Sequence, residues 1–283
     1  MAVGLALLSA FLFGAMTVVL RFALQRSPGA ELGALATTVT ALAVSLVALA
    51  LRPPGGGDAG GLALFLLVGI LAPGGSQLLF TMAVRDAGPS RTSVVVGAAP
   101  LISVAIAIVV LGEPIQAALV VGALLVVAGG VLLALERSRP AHYRAIGLAF
   151  ALAGATLFAI RDNVVRWASH GTAVKPVPGA TAALLGGSLV ILAYVLVLGR
   201  RPRLQSSLPF VPAGLLFGLS YLSLFQAYYH GRVTVVSPIV ATESLWGVLL
   251  AAIFVGRSER IGPRLVAGAL CVVAGGALIA VVR

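Results

Sequence analysis

Acidic residues and cysteine are scarce in this chain of 283 residues, which holds eight Asp and Glu side chains, three His and one Cys. The lone Cys271 cannot form an intramolecular disulfide or a cysteine-based metal site. The carboxylates and histidines are dispersed along the sequence, so we expect neither a bound metal nor a cofactor. The sequence also has no GxxxxGK[ST] phosphate-binding loop, which excludes ATP-driven transport by this chain alone.

Charged residues of either sign make up 10% of the chain, against about 25% in an ordinary soluble domain. Hydrophobic residues make up 60%, in apolar runs that are each long enough to cross a hydrocarbon core of about 30 Å as a helix. The composition therefore indicates an integral membrane protein. The ten candidate spans are residues 2–24, 30–51, 62–84, 91–111, 115–135, 145–167, 177–198, 208–229, 233–255 and 263–282.

The net charge of +11 comes from 18 Arg and a single Lys. Nearly all of them lie in the short gaps between apolar runs, where basic side chains bias membrane orientation and reach lipid headgroups. A nucleic-acid binder would collect its basic residues on one face or arm. We therefore expect membrane lipid and a small molecule as partners, and no nucleic acid.

The chain contains an internal repeat. Residues 113–134 read EPIQAALVVGALLVVAGGVLLA, and residues 259–280 read ERIGPRLVAGALCVVAGGALIA, with 14 of 22 positions identical at a shift of 146. The copies correspond to residues 1–140 and 141–283, each with five spans. Because five is odd, the second copy must enter the membrane from the opposite side. Inverted repeats are common in secondary transporters, whose substrate site lies near the membrane midplane between the copies.

These features resemble the EamA-type permeases of the drug/metabolite transporter superfamily. The resemblance covers essentially the whole chain through its two five-span copies, its Gly-rich terminal spans, and the turns at Glu113 and Glu259. The second turn departs from the family pattern, since it reads RSER. The resemblance implies an all-α integral membrane protein of ten transmembrane helices arranged as two inverted five-helix repeats.

The resemblance also implies a function. It predicts transport, usually export, of a small organic solute such as an amino acid or other metabolite, by alternating access at a central cavity. The protein would be a monomer or weak homo-oligomer in the bacterial inner membrane, with both termini in the cytoplasm. The loop charges favour the opposite orientation, because the gaps after spans one, three, five, seven and nine hold thirteen basic residues and the other side at most six. We keep the orientation of the family as the expectation.

The stretch FAIRDNVVRW places Arg161, Asp162 and Asn163 at the end of an apolar run. An ionisable group inside a span costs roughly 2.5 to 3.5 kcal/mol, so such groups normally face a bundle interior or a wet cavity. The equivalent residues of the first copy are Met, Thr and Val, so only the second copy would supply charge. The alternative is that span six ends near Ile160 and the segment caps it at the membrane interface.

Glu243 lies about ten residues inside span nine, with apolar sequence on both sides. A buried carboxylate there could carry a proton or pair with Arg161, and either role suits coupling or substrate binding. We predict that Glu243 and Asp162 are the coupling candidates. The alternative for Glu243 is a structural hydrogen bond to a neighbouring helix.

Amide and aromatic side chains complete the predicted substrate site and would favour an aromatic or amphipathic solute. They are Gln77, Phe80, Tyr221, Gln226, Tyr229 and Trp246. For Tyr229, near a span end, the aromatic belt of the membrane interface is the alternative. The predicted helix hinges are Pro73, Pro100 and Pro238. Glycines seven apart share one helix face, and we expect them to pack span five against span ten: Gly122, Gly129, Gly268 and Gly275.

Two other functions compete with transport. An intramembrane enzyme acting on a lipid-linked substrate would be expected to cluster acidic or His residues at a membrane face, and here they are dispersed. A non-transporting membrane assembly protein would not need polar residues along an internal path. We therefore predict a transporter and not an enzyme.

Overall fold

The computed structural model describes residues 1–51, 58–99, 101–103, 105–106, 117–134, 143–255 and 262–281, and these residues form helices joined by short connections. The helices of the first half are α1 (Ala2–Arg26), α2 (Ala30–Ala50), α3 (Ala59–Gly69), α4 (Ser76–Ala87), α5 (Pro89–Val96) and α6 (Ala117–Ala134). Those of the second half are α7 (Ile146–Gly171), α8 (Pro176–Val197), α9 (Leu204–Ser207), α10 (Val211–His230), α11 (Val233–Val240), α12 (Glu243–Phe254) and α13 (Pro263–Val281).

Within the described ranges, six helical segments are long and apolar enough to cross a membrane. They are Ala2–Arg26, Ala30–Ala50, Ala59–Ala87, Ile146–Gly171, Pro176–Val197 and Leu204–His230. Shorter apolar helices, Glu243–Phe254 and Pro263–Gly275, follow in the second half. The protein is therefore an all-helical, multi-pass membrane protein, and the count of ten spans stays a prediction.

The two halves pack through the same contact made twice. A Cβ added to Gly33 in α2 would lie 2.5 Å from the ring of Phe210, and one added to Gly179 in α8 would lie 3.2 Å from the ring of Phe65. Gly33 and Gly179 are 146 residues apart and Phe65 and Phe210 are 145 apart, so the pairs correspond between the repeats, with the glycine and the ring exchanged between the halves. The second helix of each half thus packs on the third span of the other, as expected for two copies related by a pseudo-two-fold axis.

Helices α6 and α13 cross in opposite directions. A Cβ on Gly129 would lie 2.7 Å from the carbonyl oxygen of Gly268, and one on Gly275 would lie 2.5 Å from that of Gly122. The earlier glycine of one helix therefore meets the later glycine of the other, which makes the helices antiparallel. Small residues permit such close backbone approach in lipid. Equivalent helices that run in opposite directions are what inverted repeats require.

The third span is interrupted next to Pro73. A π-helical turn, Ile70–Gly75, joins α3 to α4, and Ala72 within it has an extended backbone at φ −145° and ψ 112°. A residue before proline is pushed out of the helical region by the pyrrolidine ring. Sequence reasoning predicted a hinge at this proline, and the structure has irregular backbone there.

Span nine is broken between α11 and α12, at Ala241 and Thr242. The sequence predicted a hinge at Pro238, with Glu243 about ten residues inside span nine. In the structure the helix continues past Pro238 to Val240, and Glu243 is the first residue of α12, so the interruption lies three residues beyond the predicted hinge.

The break at residues 241 and 242 is held by side-chain hydroxyls. The Thr242 hydroxyl donates to Ile239 O at 2.6 Å, and the Ser244 hydroxyl donates to Ala241 O at 2.8 Å. Ser and Thr hydroxyls that bond nearby carbonyls compete with the helical ladder, so they stabilise the break. Pro100 and the turns at Glu113 and Glu259 lie outside the described residues.

Candidate functional site

A small cavity lies between the two halves, near the middle of the long helices. Its volume is about 30 Å³, which is roughly the share of one water molecule in the liquid. The side chains therefore close around it in this conformation. The first half contributes Ser9, Phe13, Val96 and Ala99, and the second half contributes Phe158, Arg161, Asp162, Phe217, Ser220, Tyr221, Leu224, Val240 and Glu243.

Arg161 and Asp162 form a buried ion pair in this cavity. Asp162 Oδ1 accepts a hydrogen bond from Arg161 Nε at 2.8 Å and lies 2.7 Å from Arg161 Nη2, and the two residues are 6% and 5% exposed, respectively. Helix α7 continues to Gly171, so the pair lies within the helix and not in an interfacial cap after Ile160. The guanidinium also lies 4.9 Å from the ring centroid of Phe158 and 5.4 Å from that of Tyr221, within cation–π range.

Hydrogen bonds from two tyrosines tie the ion pair to other elements. The Tyr221 hydroxyl donates to Ala72 O at 3.1 Å, at the interruption of span three, and also interacts with Arg161. The Tyr228 hydroxyl interacts with Asp162 and lies 2.9 Å from the Ser237 hydroxyl. The pair on α7 is thus connected to α10, to α11 and to the π-helical turn.

Ser9 and Ser220 join the two halves at the cavity wall. The Ser9 hydroxyl lies 3.0 Å from the Ser220 carbonyl oxygen, and the Ser220 hydroxyl lies 2.9 Å from the Ser9 carbonyl oxygen. Both side chains are 2% exposed. Each hydroxyl is therefore hydrogen-bonded to the backbone of the opposite helix.

Glu243 differs from the other polar residues that line the cavity. It is 7% exposed, and no hydrogen bond or ion pair within the described part of the chain engages its carboxylate. Arg161 acts on it electrostatically but is itself bonded to Asp162. A buried carboxylate without a partner is unfavourable, so it provides a place for a proton or a cationic group.

Phe80, Gln77 and Asn163 lie outside the cavity lining. Phe80 is fully buried behind the cavity, with its ring centroid 4.9 Å from that of Phe13. Gln77 is also fully buried, and its amide atoms have no hydrogen-bond partner among the described residues. Asn163 Nδ2 donates to Ser103 Oγ at 2.6 Å, which links the second half to the first.

Tyr229, Gln226 and Trp246 are also separate from the cavity lining. Tyr229 donates to Val174 O at 2.8 Å near the end of α10, a position typical of an aromatic belt. Gln226 is partly buried on the same helix. Trp246 packs edge-on against Phe11 with centroids 5.2 Å apart, and it lines an apolar groove of about 500 Å³ between α1, α12 and α13.

Sequence reasoning missed several residues at or beside the cavity. Ser9 and Ser220 are small polar residues of a kind common in apolar spans, so nothing marked them out. Tyr228 was not among the predicted site residues, yet it is fully buried and interacts with Asp162. Its spacing of seven residues from Tyr221 places both on one helix face, a signal that could have identified it.

Ion pairs between the halves close one membrane face, which we call the arginine-rich face and define by Arg85, Arg144 and Arg200. Arg200 Nη1 bonds Glu31 Oε2 at 2.7 Å. Asp86 bonds Arg85 Nε at 2.8 Å, lies 3.7 Å from Arg144 Nη1, and accepts the Arg144 backbone N–H through its own carbonyl at 2.7 Å.

The opposite face is closed around Asp58, the N-cap of α3. Its carboxylate accepts the backbone N–H groups of Gly61 at 3.0 Å and of Ala173, in the second half, at 3.3 Å. The hydrogen bond from Gly61 holds the pKa of Asp58 below its usual value, because it stabilises the ionised form. Contacts between the halves therefore exist on both sides of the cavity.

These features define a class: a multi-pass membrane protein with a small cavity, lined in part by charged side chains, between two inverted copies of one helical unit. The chain belongs to the EamA-like transporter family, whose family model matches residues 1–135 and 145–281. This confirms the predicted family, whose members are transporters. The division at residues 140 and 141 stays a prediction.

A solved crystal structure shares the fold. It superposes with a TM-score of 0.71 at 19% sequence identity, over 98% of this chain and 95% of that one. At this identity the likeness shows the fold alone. No curated protein sequence matches the chain.

Proposed function

We propose that the protein is a secondary active transporter that exports a small organic solute, such as an amino acid or other metabolite, by alternating access. The observation that carries this proposal is the cavity lined by both halves, with the unpartnered Glu243 carboxylate beside the Arg161–Asp162 pair. A polar site between inverted repeats is the arrangement that secondary transporters use. An assembly protein would have no need for a buried carboxylate facing an internal cavity.

The closed cavity corresponds to a state in which neither face has opened. Opening the arginine-rich face requires separation of Arg200 from Glu31 and of Arg144 from Asp86. Opening the opposite face requires separation of Asp58 from the Ala173 backbone. The break at Ala241 and Thr242 lies beside Glu243, so solute or proton binding there can be coupled to a change in the angle between α11 and α12.

The family also supports a proposal for the location and orientation of the protein. We place the protein in the bacterial inner membrane as a monomer or weak homo-oligomer, with both termini in the cytoplasm. Under this orientation the arginine-rich face is external, against the positive-inside rule. Reporter fusions at the C-terminus test this orientation. Alkaline phosphatase activity of such a fusion would show that the C-terminus lies outside the cytoplasm and would contradict the proposal.

Counterflow in proteoliposomes tests the function. Purified protein is reconstituted with unlabelled solute inside, and uptake of the labelled solute is followed for amino acids, purines and amines. We expect saturable exchange with wild type and with Thr156→Val, a loss of one hydroxyl at a partly exposed position on α7 outside the cavity lining. We expect little exchange with Glu243→Gln. Absence of exchange for every solute would overturn the proposal and favour the enzyme or the assembly protein.

A further inference from the structure

The polar groups that line the cavity are almost all occupied. The hydroxyls of Ser9 and Ser220 bond each other's helices, and the Tyr221 hydroxyl bonds Ala72 O. Asp162 accepts a hydrogen bond from Arg161 Nε and forms an ion pair with its Nη2. Among the described lining residues, the Glu243 carboxylate is the group without a hydrogen-bonding or ion-pair partner.

The ionised side chains that line the cavity carry a net negative charge. Arg161 contributes +1, and Asp162 and Glu243 contribute −1 each when ionised, which leaves −1. A solute with one ammonium group neutralises this charge, and its ammonium can bond the carboxylate of Glu243. The ring of Phe13 from the first half and that of Phe217 from the second are available for an apolar body.

A carboxylate on the solute would find no comparable partner. The guanidinium of Arg161 has Nε and Nη2 committed to Asp162 and its faces near the rings of Phe158 and Tyr221. No other Arg, Lys or His is among the described lining residues. A zwitterion would bring its negative group into a site that Asp162 already fills, and a buried charge without a partner is strongly disfavoured.

We propose, building on the proposed function, that the transported solute is a monovalent organic amine without a free carboxylate, bound with its ammonium group on Glu243. Amino acids are then rejected because Asp162 occupies the guanidinium that would receive their carboxylate. The inference narrows the substrate class of the same cavity.

A matched set of probes separates charge from shape: phenethylamine as the cation, phenylalanine as the zwitterion, 3-phenylpropionate as the anion and 2-phenylethanol as the neutral compound. Binding is measured as the rise in unfolding temperature of the detergent-solubilised full-length protein, and transport as counterflow. We expect phenethylamine to bind and exchange about tenfold or more better than the other three, because a buried charge pair contributes that much or more to affinity.

Variants of the cavity residues test the proposed preference for a cationic solute. Glu243→Gln should abolish the preference for phenethylamine, while Thr156→Val should keep it. Asp162→Asn should release Arg161 and shift the preference toward phenylalanine. Because Asp162→Asn can also impair folding, its interpretation requires the wild-type elution profile in size exclusion, and Glu243→Gln alone still decides the role of the carboxylate.

The outcomes distinguish the two proposals. Exchange of phenylalanine but not phenethylamine would overturn the amine proposal and leave the transporter intact. Binding of phenethylamine that depends on Glu243, without exchange of any solute, would support the site and overturn the transporter. Equal responses to all four probes would overturn the amine proposal as well.

Discussion

Ser9 of α1 and Ser220 of α10 exchange hydrogen bonds between their hydroxyls and backbone carbonyls at the wall of the cavity. Each residue comes from a different half of the chain, so this contact fixes the distance between the halves at the level of the cavity. Both hydroxyls are buried, and removing one leaves the other with the carbonyl of the opposite helix.

Ser9→Ala, Ser220→Ala and the double variant test this contact. Hydrogen bonds between membrane helices contribute about 0.6 kcal/mol on average, so we expect each single variant to lower the free energy of unfolding by about that amount. Because the two hydroxyl oxygens also lie 3.0 Å from each other and share that contact, the double variant should lose less than the sum. The measurement is reversible unfolding in mixed micelles; strictly additive losses would show that the serines act independently.

Glu243→Gln should reduce transport strongly with little loss of folded protein. The amide has nearly the same shape, and within the described residues no hydrogen bond or ion pair holds the carboxylate. Transport is measured by counterflow and folding by monodispersity in detergent. A poorly folded variant would instead indicate a structural hydrogen bond to Glu243, and wild-type transport would remove the residue from the mechanism.

Charge reversal tests the arginine-rich face as a gate. Arg200→Glu places a second negative charge next to Glu31. In the native protein, Arg200 Nη1 lies 2.7 Å from Glu31 Oε2. A partly exposed pair contributes about 0.2 to 1 kcal/mol, so the open population should rise by about 1.4-fold to fivefold. The readout is the rate at which a water-soluble reagent modifies Ser220→Cys in a Cys271→Ser background. The double reversal Glu31→Arg with Arg200→Glu should restore the slow rate; a rate that stays fast would argue against the ion pair.

Gly275→Leu should destabilise the protein, whereas Ala274→Leu should not. A Cβ at position 275 would lie 2.5 Å from the Gly122 backbone, so the added side chain must push α6 away from α13. Overpacking of this kind costs about 1 to 3 kcal/mol. Ala274 is exposed on the neighbouring face and provides the control. The comparison uses the unfolding temperature in detergent, and equal temperatures for the two variants would contradict the close crossing.

The folding stability should depend on pH through Asp58. Its pKa is lowered in the folded state by the backbone hydrogen bond from Gly61. A carboxyl with a depressed folded-state pKa contributes stability above its unfolded value, near 3.8, and loses it as the pH falls through the folded value. Asp58→Asn should therefore remove part of the acid-side loss seen in wild type. Superimposable pH profiles below pH 4 for the two proteins would show that Asp58 does not contribute.

Much of the architecture was predictable because lipid imposes a simple rule on the sequence. Apolar runs locate the helices, and the glycines seven apart on one helix face predicted the packing of α6 against α13. Arg161, Asp162 and Glu243 stood out because ionisable groups are costly inside a span. The same rule is silent on Ser9 and Ser220, since hydroxyls occur in many membrane helices and only the fold brings these two together.

Other features depend on local geometry that pattern does not encode. The break beside Glu243 is set by the hydroxyls of Thr242 and Ser244, and it lies three residues beyond the proline that drew attention. Trp246 is one turn from Glu243 in sequence, yet it lines the apolar groove instead of the cavity. Neighbouring helices decide which side of α12 is internal.

The duplicated contact between glycine and aromatic ring has a consequence for the energy balance of the carrier. Gly33 meets Phe210 near the arginine-rich face, and Gly179 meets Phe65 near the other. If opening one side loosens one copy of this contact and opening the other side loosens the other copy, then the inward-facing and outward-facing states each lose one of two equivalent contacts. A bulkier residue at one of the two glycines would then shift the equilibrium between the inward-facing and outward-facing states, without altering any residue that contacts the transported solute.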